Sequence, residues 1–171
     1  VLEHPPYEIS QAARKMHDEL IIMDWHSDSL LWNRDLLKRA TYGHMDFPRL
    51  AEGNVAIQMF TVVTKSPKGQ NYASNMADSD NITLLAFAQL WPISTWGSLY
   101  ERALYQSQRL HDCASREPER VKIVRRQSDL IQTLQVRSKN KTNGSGDMVL
   151  GLLGIEGCHC LEGKLENVKN L

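Results

Sequence analysis

Two polar side chains, His26 and Asp28, follow the largely apolar run LIIMDW near the start of the chain. Side chains two positions apart in a strand point to the same face, so this imidazole and this carboxylate would face the same way where the strand ends. Both groups are common ligands of Zn²⁺ and similar divalent ions. A hydrogen-bonded His–Asp pair without a metal is the alternative, and the spacing alone does not separate the two interpretations.

Glu156 is the second candidate, because it ends the apolar stretch MVLGLLGIEG. A carboxylate in an apolar strand is costly unless it is paired or bound to a cation. If this strand ends beside the first one, Glu156 would join His26 and Asp28 as a third metal ligand. The alternative is a glutamate that has already left the strand and meets solvent.

A second His-x-Asp pair, His44 and Asp46, is predicted to be structural. No apolar run precedes this pair, and Pro48 follows it at once, as in the first turn of a helix. Asp46 is therefore expected to cap that helix rather than to bind a metal.

The run Cys158-His159-Cys160 has a composition that suits zinc, but its spacing does not. Adjacent ligands rarely all reach one ion, and structural zinc sites use spaced pairs. We expect the cysteines to pack as small apolar side chains, and His159 to support a neighbouring group or the local structure. The chain contains no GxSxG, Walker-type or GxGxxG motif, which excludes the commonest nucleophile and phosphate-binding sites.

Composition limits the class of partner. Of the 171 residues, 42% are hydrophobic and 23% charged, and 20 basic residues balance 20 acidic ones. A net charge of zero gives no electrostatic reason to expect nucleic acid or an anionic membrane as partner. The apolar runs are shorter than the roughly 20 residues that a membrane span needs, so no transmembrane segment is expected.

The three cysteines form no disulfide framework, and the cellular compartment stays open.

Hydrophobic periodicity predicts alternating helices and strands. The predicted strands are 20–24, 54–64, 120–124 and 148–157, and the first of them is expected to be buried, as parallel strands are. The predicted helices are 10–20 (capped by Ser10), 46–53 (capped by Asp46), 81–90, 98–115, 128–135 (capped by Ser128) and a last one from 161 onward. The stretches 65–80 and 137–147 are predicted to be loops.

This alternation favours an α/β fold with a mainly parallel sheet. Four strand–helix units are half of a (β/α)8 TIM-type barrel, which typically takes about 250 residues. A half barrel would expose two sheet edges and much of its apolar interior, which proteins avoid. The fold is therefore either a smaller open sheet or the front half of a longer protein. No interdomain linker is visible, so residues 1–171 are treated as a single domain.

Three stretches together resemble the membrane (renal) dipeptidase family of zinc metallopeptidases. The run IIMDWHSD is similar to the family's first-strand D-x-H-x-D, and MDFPRLAEGNVAIQMFTVV to its Asp-Phe/Leu-Pro-Arg-Leu…Gly-Gly-Val…Gln segment. The run GLLGIEGCHCLEGKLENVKNL is similar to its Ile/Val-Glu-Gly-Gly-His block and the helix that follows. The matches come in family order over nearly the whole chain. Two departures are Cys158, where the family usually has a second glycine, and Met59-Phe60, where it usually has Phe-Trp.

The resemblance implies a (β/α)8 barrel with two zinc ions at its mouth, of which this chain would supply about the first four strand–helix units. His26 and Asp28 would bind one zinc, and Glu156 would bridge both. The two histidines that hold the second zinc in the family, and its substrate-binding and proton-handling residues, are expected beyond residue 171. The implied reaction is hydrolysis of a dipeptide by a metal-activated water. Subunits in the family often pair, so a homodimer is compatible with the resemblance.

Two rival functions stay open. A related barrel amidohydrolase would use the same ligands on a lactone, an acylated amino acid or another small amide. A non-catalytic fragment or homologue would serve in binding or assembly, and it would be favoured if the protein ends at Leu171, because three ligands cannot hold two zincs in the family's way. All metal-binding versions predict that His26, Asp28 and Glu156 converge on one point.

Overall fold

A computed structural model of the chain describes residues 6–74, 76, 78–142 and 148–171, without the side chains of 139–142. Helices and strands alternate along most of this length. The helices are α1 (Gln11–Glu19), α2 (Phe47–Glu52), α3 (Asn81–Ala88), α4 (Ser94–Gly97), α5 (Leu99–Arg116) and α6 (Gln127–Thr142). The strands are β1 (Ile22–Ser27), β2 (Val55–Val63), β3 (Val121–Ile123) and β4 (Val149–Glu156). Short 3-10 turns span Ser29–Leu31, Cys158–Leu161 and Leu165–Lys169.

The four strands form one parallel sheet in the order β1-β2-β4-β3, which confirms the predicted α/β class. A barrel whose strands follow chain order would place β3 between β2 and β4. Instead the three-residue β3 pairs with the first half of β4, with Val121 opposite Val149 and Ile123 opposite Gly151. The prediction of four successive strand–helix units is thus wrong for β3. The longer strands β1, β2 and β4 do follow chain order across the sheet.

The chain divides into two compact units. The first unit contains Val1–His26, Asp35–Met59 and Cys113–Leu152. Its core is built from strand residues that meet the apolar face of α6: Ala56, Ile57 and Leu150, packed against Val124, Leu130, Leu134 and Leu152. In the same unit, the amide of Asn54 donates to the carbonyl oxygens of His17 (2.7 Å) and Leu20 (3.2 Å). These bonds fix the residues that lead into β1.

The second unit contains Ser27–Arg34, Phe60–Asp112 and Leu153–Leu171. Its apolar core consists of Leu31, Val63, Ile82, Ala86 and Trp91. Beside this core lies Arg102, which is only 1% exposed. Its guanidinium donates to the carbonyl oxygens of Thr95, Thr64 and Trp96 and to the Thr83 hydroxyl, and it pairs with Asp80 at 2.6 Å. A buried cation is tolerated here because its donors are so extensively used.

Asp80 gives this unit a predictable sensitivity to acid. Burial raises the pKa of Asp80, but bonds from Arg102, Thr83 and backbone N–H groups outweigh burial and lower the pKa from 3.8 to about 2. A carboxylate with a depressed pKa stabilises the fold above its unfolded-state pKa, and that contribution is lost as the pH falls towards the folded-state value. We therefore expect the free energy of unfolding to drop between about pH 4 and pH 2. Urea titrations over this range should show a shallower drop for Asp80→Asn; an identical drop would contradict this assignment.

The carboxylate of Glu162, distant in sequence, caps the N-terminus of helix α5. One oxygen of Glu162 accepts hydrogen bonds from the backbone N–H of Leu99 (2.7 Å) and of Tyr100 (3.2 Å) and from the Ser98 hydroxyl (2.8 Å). The Ser98 bond is the largest of the effects that lower the pKa of Glu162. An anion at a helix N-terminus satisfies unpaired donors and complements the helix dipole. The segment that follows β4 is thereby fastened to α5.

Strand β1 departs from the prediction that it is buried. It begins two residues later and ends three later than expected, and its side chains are largely exposed: Ile21, just before it, is 60% exposed and Trp25 is 58% exposed. The reason is its place at the edge of the sheet, where the described part of the chain offers no further strand beside it. By contrast β2, which has a neighbour on each side, is buried along almost its whole length.

Most predicted helix signals are confirmed, and two are wrong. Ser10 and Asp46 cap α1 and α2 through their side chains, as expected. Ser128 does not cap α6, which begins at Gln127 and continues to Thr142, so residues 137–142 are helical rather than part of a loop. The rest of that predicted loop, 143–147, lies outside the described residues. From residue 161 onward there is a 3-10 turn in place of the predicted helix.

Candidate metal centre

The three predicted ligands come together. His26 lies within β1, Asp28 immediately follows that strand, and Glu156 is the last residue of β4. One candidate ligand atom from each lies within 4.8 Å of the other two. Asp28 is half-buried, while His26 and Glu156 are exposed. Among the residues that the structure describes, this is the one group of three or more such side chains gathered closely enough to hold an ion.

The donor set fits a divalent metal. An imidazole nitrogen and two carboxylate oxygens are ligands that zinc accepts, at about 2.0–2.2 Å each, so two ligands of one ion lie at most about 4.4 Å apart. The observed upper limit of 4.8 Å is within a small side-chain rotation of that spacing. Asp28 and Glu156 also place two carboxylate groups near one another, and carboxylate oxygens are ordinary ligands of divalent ions.

Thr61 on β2 orients Asp28. Its hydroxyl donates a short hydrogen bond to Oδ1 of Asp28, and Thr61 itself is buried. A buried hydroxyl that fixes a metal-binding carboxylate is a common way of raising ligand affinity.

If Asp28 binds zinc, replacing Thr61 with valine is expected to weaken zinc binding by about 10- to 100-fold, because the near-isosteric change removes the bond that orients Asp28. Thr64→Val is the matched control. Thr64 is on the same segment and fully buried, and its hydroxyl has no hydrogen-bond partner among the described residues. Competition titration with a chromophoric chelator measures both variants. Equal zinc affinity in the Thr61 and Thr64 variants would show that Thr61 does not contribute to metal binding.

Asp24 and Gln58 lie next to His26 in the same unit. The backbone N–H of His26 donates to Oδ1 of Asp24 (3.1 Å), and the amide of the fully buried Gln58 donates to Oδ2 of Asp24 (2.9 Å). Sequence reasoning did not assign a role to Thr61, Asp24 or Gln58. The available signal was polarity, because Gln58 and Thr61 interrupt an otherwise apolar strand.

Beyond Glu156, the backbone turns sharply at Gly157, whose φ is +74°. A Cβ at this position would lie 2.9 Å from Nδ1 of His159, so the turn needs glycine for its conformation and for the close approach of the ring. His159 thus packs against the residue after Glu156, and its supporting role stays a prediction. Cys160 is buried, and burial raises the pKa of its thiol, whereas Cys158 is exposed.

The second His-x-Asp pair is structural at Asp46, as predicted. Asp46 is fully buried and caps α2 by accepting from the backbone N–H of Arg49 at 2.9 Å. It also pairs with the Arg49 guanidinium and accepts from the N–H of Ala40. These contacts account for Asp46 without a metal.

The structure is an α/β protein with a parallel sheet, and histidine and carboxylate side chains that could hold a metal ion lie together at its strand ends. The chain belongs to the membrane dipeptidase family, peptidase family M19, whose sequence model matches residues 10–171. Membership of this family indicates a hydrolase of the dipeptidase or metal-dependent amidohydrolase type, and it confirms the resemblance found in the sequence. A search of curated proteins gave no match. In the described ranges, no helix combines the length and apolar character needed to cross a bilayer.

Proposed function

We propose that the protein hydrolyses dipeptides at a centre of two zinc ions, with His26 and Asp28 on one ion and Glu156 bridging both. The observation that carries the proposal is the convergence of these side chains within 4.8 Å, inside the stretch that the family model matches. A small substrate with both termini charged suits a site at the end of a parallel sheet, where ligands of such folds bind.

Each described residue of the candidate site would have its own role in hydrolysis. A metal held by His26, Asp28 and Glu156 would supply a more acidic bound water and would polarise the carbonyl of the scissile amide. Asp28 and Glu156 balance much of the positive charge and set the spacing of the site. Thr61 holds Asp28 in one orientation. His26 would bind a metal through one of its imidazole nitrogens.

The proposal extends to a (β/α)8 barrel that carries the remaining ligands and proton-handling groups on further strands. The barrel is supported by the exposure of β1, an edge strand whose side chains include the exposed Met23 and Trp25. Exposed apolar strands at a sheet edge are rare unless another element covers them. The position of β3 outside the sequential order means that β1, β2 and β4 would be the barrel strands and β3 an addition to them.

The test is native mass spectrometry of the protein purified from its own source, followed by activity assays on a panel of dipeptides, acylated amino acids and lactones. The proposal predicts two zincs per subunit and turnover of dipeptides that a chelator abolishes and added zinc restores. Turnover restricted to acylated amino acids or lactones would instead favour a related amidohydrolase. A metal-free protein without turnover would contradict an enzymatic function.

A further inference from the structure

A buried glutamine connects β2 to the strand that carries His26. Gln58 is fully buried, and its Nε2 lies within hydrogen-bond distance of three acceptors in the first unit: Oδ2 of Asp24 (2.9 Å), the Met59 carbonyl oxygen (3.0 Å) and the Asp24 carbonyl oxygen (3.4 Å). Its Oε1 has no hydrogen-bond partner among the described residues. The three acceptors fix which end of the amide faces Asp24, because the reversed amide would set oxygen against oxygen.

Asp24 continues the link to His26. Its Oδ2 is held by Gln58, and its Oδ1 accepts from the backbone N–H of His26 at 3.1 Å. Since Asp24 is exposed, an unrestrained carboxylate would move freely in water. Gln58 therefore restricts the carboxylate that in turn restricts the backbone at His26. The two bonds connect a buried point on β2 to the residue whose imidazole faces Asp28 and Glu156.

The unpartnered Oε1 of Gln58 indicates that an amide is not the most stable side chain for this buried position. A buried acceptor without a donor is unfavourable, and an apolar side chain of similar size would avoid that cost. Asp24 does not need Gln58 for its own solvation, because it is exposed to water. A purely structural role in folding is thus a poor explanation for this amide, whereas a role in placing Asp24 accounts for its orientation.

We propose that Gln58 and Asp24 are positioning residues: together they form a brace, Gln58–Asp24–His26, that holds the His26 backbone so that its imidazole points at the metal site. This inference rests on the proposed metal-binding function. It assigns no contact between the brace and the ion. The brace predicts that loss of either member weakens zinc binding and changes the geometry of the bound ion.

The test compares Gln58→Leu, Asp24→Asn and the double variant in the full-length protein. Each single change is expected to lower zinc affinity by about 10- to 100-fold, as changes in groups that orient metal ligands do. The zinc affinity of the double variant should be only slightly lower than that of the single variant that binds zinc more weakly, because both changes break the same link. Substitution with Co²⁺ adds a spectroscopic readout, since its visible absorption bands should shift in all three variants. Gln58→Met, closer in length, replaces Gln58→Leu if the latter fails to fold.

Gln106→Leu is the matched control. Gln106 is also a fully buried glutamine bonded to β2, through the backbone N–H and carbonyl oxygen of Val63, but in the described part of the chain no hydrogen bond joins it to β1. It should lose stability towards urea and keep the wild-type zinc affinity and Co²⁺ spectrum. Gln58→Leu should show the reverse: altered metal binding with little loss of stability.

The outcomes separate the brace from the proposed function. Wild-type protein that binds no zinc would overturn the proposed function, and the brace with it. Wild-type protein that binds zinc, together with Gln58→Leu that binds it equally and has the same Co²⁺ spectrum, would overturn the brace alone. Weak binding by Asp24→Asn but not by Gln58→Leu would also overturn it, because the Asp24 charge would then act without Gln58.

Discussion

Replacing Glu156 with glutamine is expected to lower zinc affinity by more than about 100-fold, beyond the range found for groups that only orient a ligand, and to abolish hydrolysis. The neutral amide keeps the size of the side chain but is a poor ligand, cannot bridge two ions, and removes one of the two negative charges gathered at the strand ends. Metal content after dialysis and dipeptide turnover measure the two effects.

The matched control is Glu166→Gln, an exposed glutamate on the same segment and outside the cluster. This variant should keep its metal and its activity. If Glu156→Gln bound zinc as tightly as the Glu166 variant, Glu156 would not be a ligand, and the proposed bridging role would be wrong.

Arg102→Met is expected to have the largest effect on stability, a loss of about 3–5 kcal/mol in the free energy of unfolding. Methionine retains much of the apolar stem but none of the donors, so three carbonyl oxygens lose a partner and Asp80 loses its counter-ion inside the second unit. Urea titration followed by circular dichroism measures the loss.

Arg116→Met provides the comparison, because Arg116 also pairs with an aspartate, Asp35, at 2.8 Å but is half exposed to solvent. Exposed ion pairs contribute little to stability, so this variant should unfold close to the wild-type urea concentration. Similar losses of unfolding free energy in the Arg102 and Arg116 variants would show that the burial of Arg102 does not determine its contribution to stability.

The elements of the fold were predictable where local chemistry determines them. Asp46, Pro48 and Gly53 define the start and end of α2 by capping chemistry that acts over a few residues. The same local reasoning failed for α6, because Ser128 has the composition of a cap but the helix begins one residue before it. It also missed the Glu162 carboxylate at the start of α5, which comes from more than sixty residues further along the chain.

The exposure of β1 could not be deduced from its own residues. Ile22 and Met23 have the apolar character of a buried strand, but burial depends on which strand lies alongside, and that is set by the order β1-β2-β4-β3. The position of β3 is equally non-local: its three residues suit any strand, and only pairing with β4 places it at the opposite edge.

For the candidate site, sequence reasoning found the side chains that could bind a metal but not those that orient them. His26, Asp28 and Glu156 stood out because polar residues at the ends of apolar strands are costly. Thr61, Asp24 and Gln58 are ordinary residues whose importance depends on hydrogen bonds from β2 to β1 and to the residue just after β1. Such contacts follow from strand register, which the sequence pattern does not determine.

Zinc binding by His26, Asp28 and Glu156 is best tested by X-ray diffraction from crystals of the zinc-loaded protein, with data collected on either side of the zinc absorption edge. Anomalous peaks are expected within bonding distance of His26, Asp28 and Glu156, with Glu156 in contact with both ions. Zinc bound elsewhere, or these three side chains turned away from any peak, would contradict that expectation.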